Sequence, residues 1–355
     1  MENILITGAT GSVGFNLLRK LLEETNDFFY LLVRPNKKLT GDERIYELLK
    51  KTYDDSILKK YMERIKVLSG NLTDTDFSLD KYQIDTLVKN LDYIYHCAAS
   101  ISFTLPLETA REINITGTKN VLNLAQKCLD YGKLKRLFHV STSYVLGNYN
   151  KVFYENQLDV GQQFNNTYEQ SKFETEVLLQ KYLAKNFPLT IFRPSIIGSD
   201  SITGEITKSN IIFDFVKRIS QGRLKEVICD DDSSLNLIPM DFVINALFII
   251  SRNKDSIGKT YHLANNYNMK VKDFAKYICT ASNSPMPKFI PIKDKDTADR
   301  FSLMRLTPFL PYISQSHRFD NTETLSFLND HYKTEKLGFD YIRKCIEYCK
   351  ENSFF

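Results

Sequence analysis

What this chain lacks bounds it before any motif is read. No apolar run reaches the ~18 residues that a membrane-spanning helix needs, and Met1 to Leu5 do not open a signal peptide. The reading is therefore a soluble, cytoplasmic protein with no transmembrane segment. The six cysteines (Cys97, Cys128, Cys229, Cys279, Cys345, Cys349) contain no CxxC pair, and no histidine stands at metal-ligand spacing, so neither a metal site nor a disulfide framework is expected. Cys345 and Cys349, four apart, share a helix face as two buried thiols. A formal charge of +4 over 355 residues is small and dispersed. It argues neither for nucleic acid nor for a membrane surface as a partner, neither of which is expected, and at most favours anionic small ligands. There is no internal repeat and no low-complexity segment.

What is present begins at once. Ile4-Leu5-Ile6-Thr7 is a short apolar strand, Gly8-Ala9-Thr10-Gly11-Ser12-Val13-Gly14 a turn with glycines three apart, and Phe15 to Leu22 a helical pattern. Glycine permits φ > 0 in the turn and puts no side chain between the backbone and a pyrophosphate, whose charge then lies at a helix N-terminus. A tight strand-to-helix turn would need some of the same glycines; its position between strand and amphipathic helix favours a dinucleotide site.

The rest of the chain alternates strands and helices. Phe28 to Val33 is a second strand ending at Arg34-Pro35, where such folds tell cofactors apart: an acidic residue binds a ribose 2′-hydroxyl, an arginine a 2′-phosphate. Arg34, followed by Lys37, Lys38 and Arg44, favours NADPH; a solvated basic loop is the other reading. Residues 42 to 63 carry a helical pattern, Ile65 to Leu68 a third strand running into Gly70-Asn71-Leu72, and Tyr93 to His96 a fourth. That strand ends in Cys97-Ala98-Ala99-Ser100, small residues that leave room for a cofactor across the strand end. His96 reads as a packed histidine, with a catalytic base as the alternative. Residues 107 to 131 form a long helical segment holding Asn114 and Gly117-Thr118. Arg136 to Val140 is a fifth strand leading into Ser141-Thr142-Ser143, Leu189 to Arg193 a sixth, and Tyr261 to Ala264 a late strand that rejoins the sheet. The expected fold is α/β, a Rossmann-type doubly wound parallel sheet with a smaller, discontinuous, mostly α-helical lobe. The nucleotide domain covers residues 1–195, rejoined by 236–265, and the substrate lobe 196–235 and 266–355. Phe213, Phe215, Phe289, Phe301 and Phe309 in the lobe are candidates for an acyl channel or for ordinary core.

Tyr168-Glu169-Gln170-Ser171-Lys172 sets Tyr168 and Lys172 four apart, on one helix face. An ammonium beside a phenol favours the phenolate, which lowers the tyrosine pKa toward use as an acid or base near neutral pH. Alone, the spacing occurs often by chance on solvated helix faces and does not mark a site.

Taken with the glycine turn, the small strand end and Thr142, the set resembles the extended branch of the short-chain dehydrogenase/reductase family. The stretches LITGATGSVG, LLVRP with Arg44 ten residues on, HCAASISF, INITGTKNVLNLA, HVSTSYVLG and NLIPMDFV resemble thioester reductase domains of nonribosomal peptide synthetases and carboxylic acid reductases, and fatty acyl-CoA reductases. From Phe319-Asp320-Asn321 through Tyr341 the likeness is less specific. The resemblance implies Thr142, Tyr168 and Lys172 as catalytic residues, with Ser141 and Ser143 as alternatives for the hydroxyl. It implies NADPH with its pyrophosphate over Gly8, Thr10, Gly11, Ser12, Val13 and Gly14 and its 2′-phosphate at Arg34 and Arg44. The cofactor would then run past Asn71 and Leu72 near the adenine and Ala98, Ala99 and Ser100 at the strand end, with its nicotinamide by Pro194 and Ile197 and its ribose on Lys172. Asn71 departs from the aspartate that many relatives carry. The implied reaction is reduction of an acyl thioester, on coenzyme A or a carrier protein, to aldehyde or on to alcohol. A nucleotide-sugar epimerase or dehydratase with bound NAD, a ketone reductase, and a non-catalytic NADP-binding protein are the competing readings.

Overall fold

The computed structural model describes residues 1–355 except Lys37, Ser209, Gln315, 329–333 and Phe355, together with the side chains of Arg300, Phe301 and Arg305. Seven strands form one sheet: β1 (Asn3–Thr7), β2 (Phe28–Val33), β3 (Ile65–Ser69), β4 (Tyr93–His96), β5 (Arg136–Val140), β6 (Leu189–Pro194) and β7 (Thr260–Leu263). Their order, β7-β6-β5-β4-β1-β2-β3, reverses beside β1. Parallel strands buried on both faces need near-continuous apolar sequence, which β1 and β2 provide, whereas buried β5 also carries Arg136 and His139. In α/β sheets ligands bind outside the strand carboxyl ends at such a reversal, where β1 and β4 diverge. Thr7 of β1 pairs with His96 of β4, so the glycine turn after β1 and the small residues after β4 leave the sheet side by side.

Helices cover the sheet: α1 (Ser12–Glu24), α2 (Gly41–Lys50), α3 (Asp55–Met62), α4 (Lys81–Asn90), α5 (Leu107–Arg111), α6 (Gly117–Tyr131) and α7 (Thr167–Leu183). The pattern expected over 42 to 63 is two helices, because Asp54 caps a new one by accepting hydrogen bonds from the Ser56 and Ile57 N–H groups. The long segment 107 to 131 is likewise divided, by a π-helical turn at Glu112–Thr116. Leu5, Ile94, Leu137, Leu189 and Ile191 of the strands pack with Val121, Leu122 and Ala125 of α6 and Leu179 of α7 into a buried core. Burial of each such leucine, isoleucine or valine stabilises the fold by about 1.5–3 kcal/mol.

The chain divides into two compact units. The first comprises residues 1–145, 166–192 and 247–261. The second comprises 146–165, 193–246 and 262–355. In the second, Val152–Phe153 pairs with Arg318–Phe319, and helices Ile211–Ser220, Val271–Ser282 and Phe339–Glu351 enclose an apolar core. Phe215 stacks on Phe274 and packs against Phe309, and Phe213 is buried, so these three phenylalanines are core. The side chain of Phe301 lies outside the described residues. A cavity of about 10 Å3 beside Phe213, Phe274 and Tyr341 has room for a single water and none for an acyl chain.

Candidate functional site

The turn after β1 is built from glycine for steric reasons that differ by position. Gly8 has φ of 75°, and a Cβ there would lie 2.6 Å from the Ala98 nitrogen. A Cβ on Gly14 would lie 2.3 Å from the Gly8 carbonyl oxygen, so this glycine permits α1 to start hard against the turn. Gly11 donates its N–H to the Gly8 carbonyl at 2.8 Å and is the α1 N-cap without any side-chain cap. The N–H groups of Ser12, Val13 and Gly14 then have no intrahelical partner, which is the donor set of an anion site at a positive helix end.

Arg44 of α2 closes the outer side of the turn. One guanidinium nitrogen donates to the Thr10 hydroxyl at 3.1 Å and another to the Arg34 carbonyl. That fixes a partly exposed cation beside exposed Arg34; of the two lysines in this loop, Lys38 is exposed and Lys37 lies outside the described residues. Asn71 is bound inside its own loop, its amide donating to Thr73 and Asp74 at 2.9 Å each. Asn120 of α6 holds that loop by donating to the carbonyls of Leu72 and Asp74.

After β4, Ala98, Ala99 and Ser100 are partly exposed. Asn114, from the π-helical turn, accepts the Ser100 N–H at 2.8 Å and donates to the Ser171 hydroxyl of α7 at 2.9 Å. A π turn, a form found often at functional sites, thus joins the β4 end to the Tyr/Lys helix. His96 is a satisfied packing residue. Its Nδ1 accepts from the Thr7 hydroxyl at 2.7 Å, and its Nε2 donates at 2.9 Å to Thr118, whose own proton goes to the Asn114 carbonyl. Burial holds its pKa down to about 3, so the ring stays neutral.

Asn166 begins α7 by accepting the Glu169 N–H at 3.0 Å, which sets Tyr168 in the first turn. The tyrosine remains partly exposed, stacks on Phe103 with ring centroids 5.8 Å apart, and hydrogen-bonds Thr142. Ser141 is committed elsewhere, donating to buried Glu176 at 2.5 Å. Thr142 is therefore the hydroxyl beside Tyr168. Lys172 is buried, its ammonium donating to the Val140 carbonyl at 2.9 Å and to His139 at 3.2 Å.

The electrostatics differ from the expectation for the pair. Desolvation by burial dominates at Tyr168 and pushes the phenol up to about 12, against the Thr142 hydrogen bond; Lys172 does not lower it. Burial pulls Lys172 down to about 8, with Glu176 and Cys97 opposing. At neutral pH this is a protonated phenol and, one helical turn on, a charged ammonium. Of the two expected nicotinamide neighbours, Pro194 ends β6 and Ile197 pairs with Ile238. Sequence reading missed His139 and Glu176. Strand alternation puts His139 and Ser141 on one face of β5, and Glu176 follows Lys172 by one helical turn, so their juxtaposition has a legible period.

The family model described as "Male sterility protein" matches residues 6–247. The chain belongs to that family. It is an extended short-chain dehydrogenase/reductase of the thioester reductase type, with an NAD(P)-binding Rossmann domain. Over 301 residues this family member is 28% identical to the fatty acyl-CoA reductase wat of Drosophila melanogaster, covering 74% of the chain and 57% of that protein. Over 276 residues it is 29% identical to the nonribosomal peptide synthetase asaC of Aspergillus flavus, covering 73% of the chain and 26% of that protein. The chain spans about half the length of the curated fatty acyl-CoA reductases it matches. The terminal R domain of the myxalamid PKS-NRPS pathway superposes with a TM-score of 0.85 at 25% identity, covering 100% of this chain and 92% of that one. UDP-glucuronic acid 4-epimerase from Bacillus cereus shares the fold, with a TM-score of 0.71 at 17% identity and 99% of each chain covered.

Proposed function

We propose that this protein reduces an acyl thioester, carried on coenzyme A or a carrier protein, to the aldehyde with NADPH. The observation that carries the reading is the Thr142–Tyr168 hydrogen bond beside buried Lys172, in a family whose relatives include fatty acyl-CoA reductases.

The uncapped α1 N-terminus fits a pyrophosphate, and the Arg34–Arg44 pair fits a 2′-phosphate better than a bare ribose hydroxyl. When bound, NADPH supplies the hydride. Thr142 and Tyr168 present two hydroxyls that can donate to one carbonyl oxygen, stabilising the negative charge that develops there. A phenol held near 12 is protonated at neutral pH, and a reduction needs a proton donor at that oxygen. Lys172 keeps a positive charge next to the site and supplies a donor for the nicotinamide ribose. The product at the acyl carbon is a hemithioacetal, and loss of its thiol gives the aldehyde.

The test is stoichiometric. Purified protein given an acyl-CoA series should oxidise NADPH faster than NADH and release one thiol per NADPH, or one per two if the aldehyde is reduced again. Turnover of a nucleotide sugar with no net cofactor consumption would replace this reading with an epimerase.

A further inference from the structure

An ammonium has three N–H donors and no acceptor. Lys172 spends two of them, on the Val140 carbonyl and on Nε2 of His139. Nε2 must then carry the lone pair, which places the imidazole proton on Nδ1. That Nδ1 is buried and has no hydrogen-bond partner among the described residues. The neighbouring His96, with ring centroids 5.1 Å away, has both nitrogens satisfied. An unpaired buried N–H costs stability that an apolar ring of similar shape would not. His139 is thus a poor space-filler, and among the described residues the one side-chain hydrogen bond it makes is to Lys172.

We infer that His139 is a positioning residue: together with the Val140 carbonyl it holds two of the three Lys172 N–H bonds and leaves one donor for the ligand. This rests on the reading of Tyr168 and Lys172 as the working pair. The groups around the ammonium are Glu176 and Tyr168 on α7, His139 on β5, and Cys97 and His96 at the end of β4. Of these, Glu176 first and Cys97 second support the charge, while burial opposes it more strongly. His139 itself stays neutral, because burial and the adjacent Lys172 hold it well below its ordinary range. A neutral acceptor bonded to an ammonium favours the charged form. Without it, the Val140 carbonyl is the one acceptor left to the ammonium on the strand side among the described residues, and burial weighs more heavily on the charge.

The experiment follows the Lys172 ammonium by NMR titration in cofactor-free protein labelled at lysine Cε. It compares wild type, His139→Leu and His139→Gln, with NADPH affinity, melting temperature and pH–rate profiles on octanoyl-CoA. His139→Leu should titrate lower by roughly half a pH unit or more and lose ~10- to 100-fold in kcat, its alkaline limb moving with the titration. His139→Gln, which keeps an acceptor, should restore both to within about threefold. Should the leucine variant fail to fold, His139→Phe keeps a ring without the acceptor and should behave as predicted for leucine. A folded leucine or phenylalanine variant with an unmoved Lys172 titration and rate limb would overturn the inference. Tyr168→Phe separates the two readings: full activity in that variant overturns the working pair itself, whereas its inactivity alongside a silent His139 variant overturns only the role of His139.

Discussion

Tyr168 and Lys172 lie four residues apart on one helix, yet they face different surroundings. Tyr168 keeps an exposed edge and bonds Thr142, while Lys172 is buried against β5 and bonds the strand. The spacing could be read from sequence; the electrostatics could not, because burial depends on what packs above the helix. The choice of Thr142 over Ser141 rested in the sequence on the resemblance alone; its physical counterpart is Glu176, whose carboxylate takes the Ser141 proton. A pH prediction follows at this scale. Activity that requires charged Lys172 should fall as pH rises through about 8, and the pH–rate profile should show no acidic limb from His96, whose pKa is held down to about 3. A flat profile through pH 9.5 would remove Lys172 from the chemistry.

At the scale of elements, strand–turn–helix at the start of the chain was legible because three glycines and a four-residue apolar run have few other uses. The π-helical turn was not, since its cause is tertiary: Asn114 is drawn to Ser100 and Ser171 from two other elements. Neither was the break between α2 and α3, where a single Asp54 cap decides. Gly14→Ala tests the turn. Its methyl would sit 2.3 Å from the Gly8 carbonyl oxygen, so α1 must move away from β1. Calorimetric titration with NADPH should show affinity lower by ~10-fold or more, alongside a melting temperature several degrees lower, roughly 1–3 kcal/mol of overpacking. Unchanged affinity would mean that the turn does not hold the pyrophosphate.

At the scale of the whole molecule, the Rossmann sheet was legible through regular alternation, whereas its strand order came from the structure and the second unit was legible only in pieces. Its organisation rests on isolated polar groups with no period. Glu155 is the plainest case: its carboxylate accepts from the N–H groups of His262, Glu323 and Thr324 and from the Thr324 hydroxyl. Burial raises its pKa and those four bonds oppose the shift. Three distant stretches of chain therefore meet on one side chain. Glu155→Ala should lower the urea midpoint by the equivalent of about 3 kcal/mol or more, since it strands buried N–H groups. A midpoint shift near zero would show that water replaces the carboxylate freely.

The central claim, hydride delivery to a thioester carbonyl with Tyr168 as proton donor, is tested most directly by isotope transfer. Purified protein is incubated with 4-deuterated NADPH and an acyl-CoA, and product and thiol are measured by mass spectrometry for wild type and Tyr168→Phe. The account predicts deuterium at C1 of the aldehyde or alcohol, free coenzyme A in proportion, and product formation reduced ~1,000-fold in the variant with NADPH affinity preserved. Deuterium absent from the acyl carbon while NADPH stays bound, or a Tyr168→Phe enzyme as fast as wild type, would contradict it.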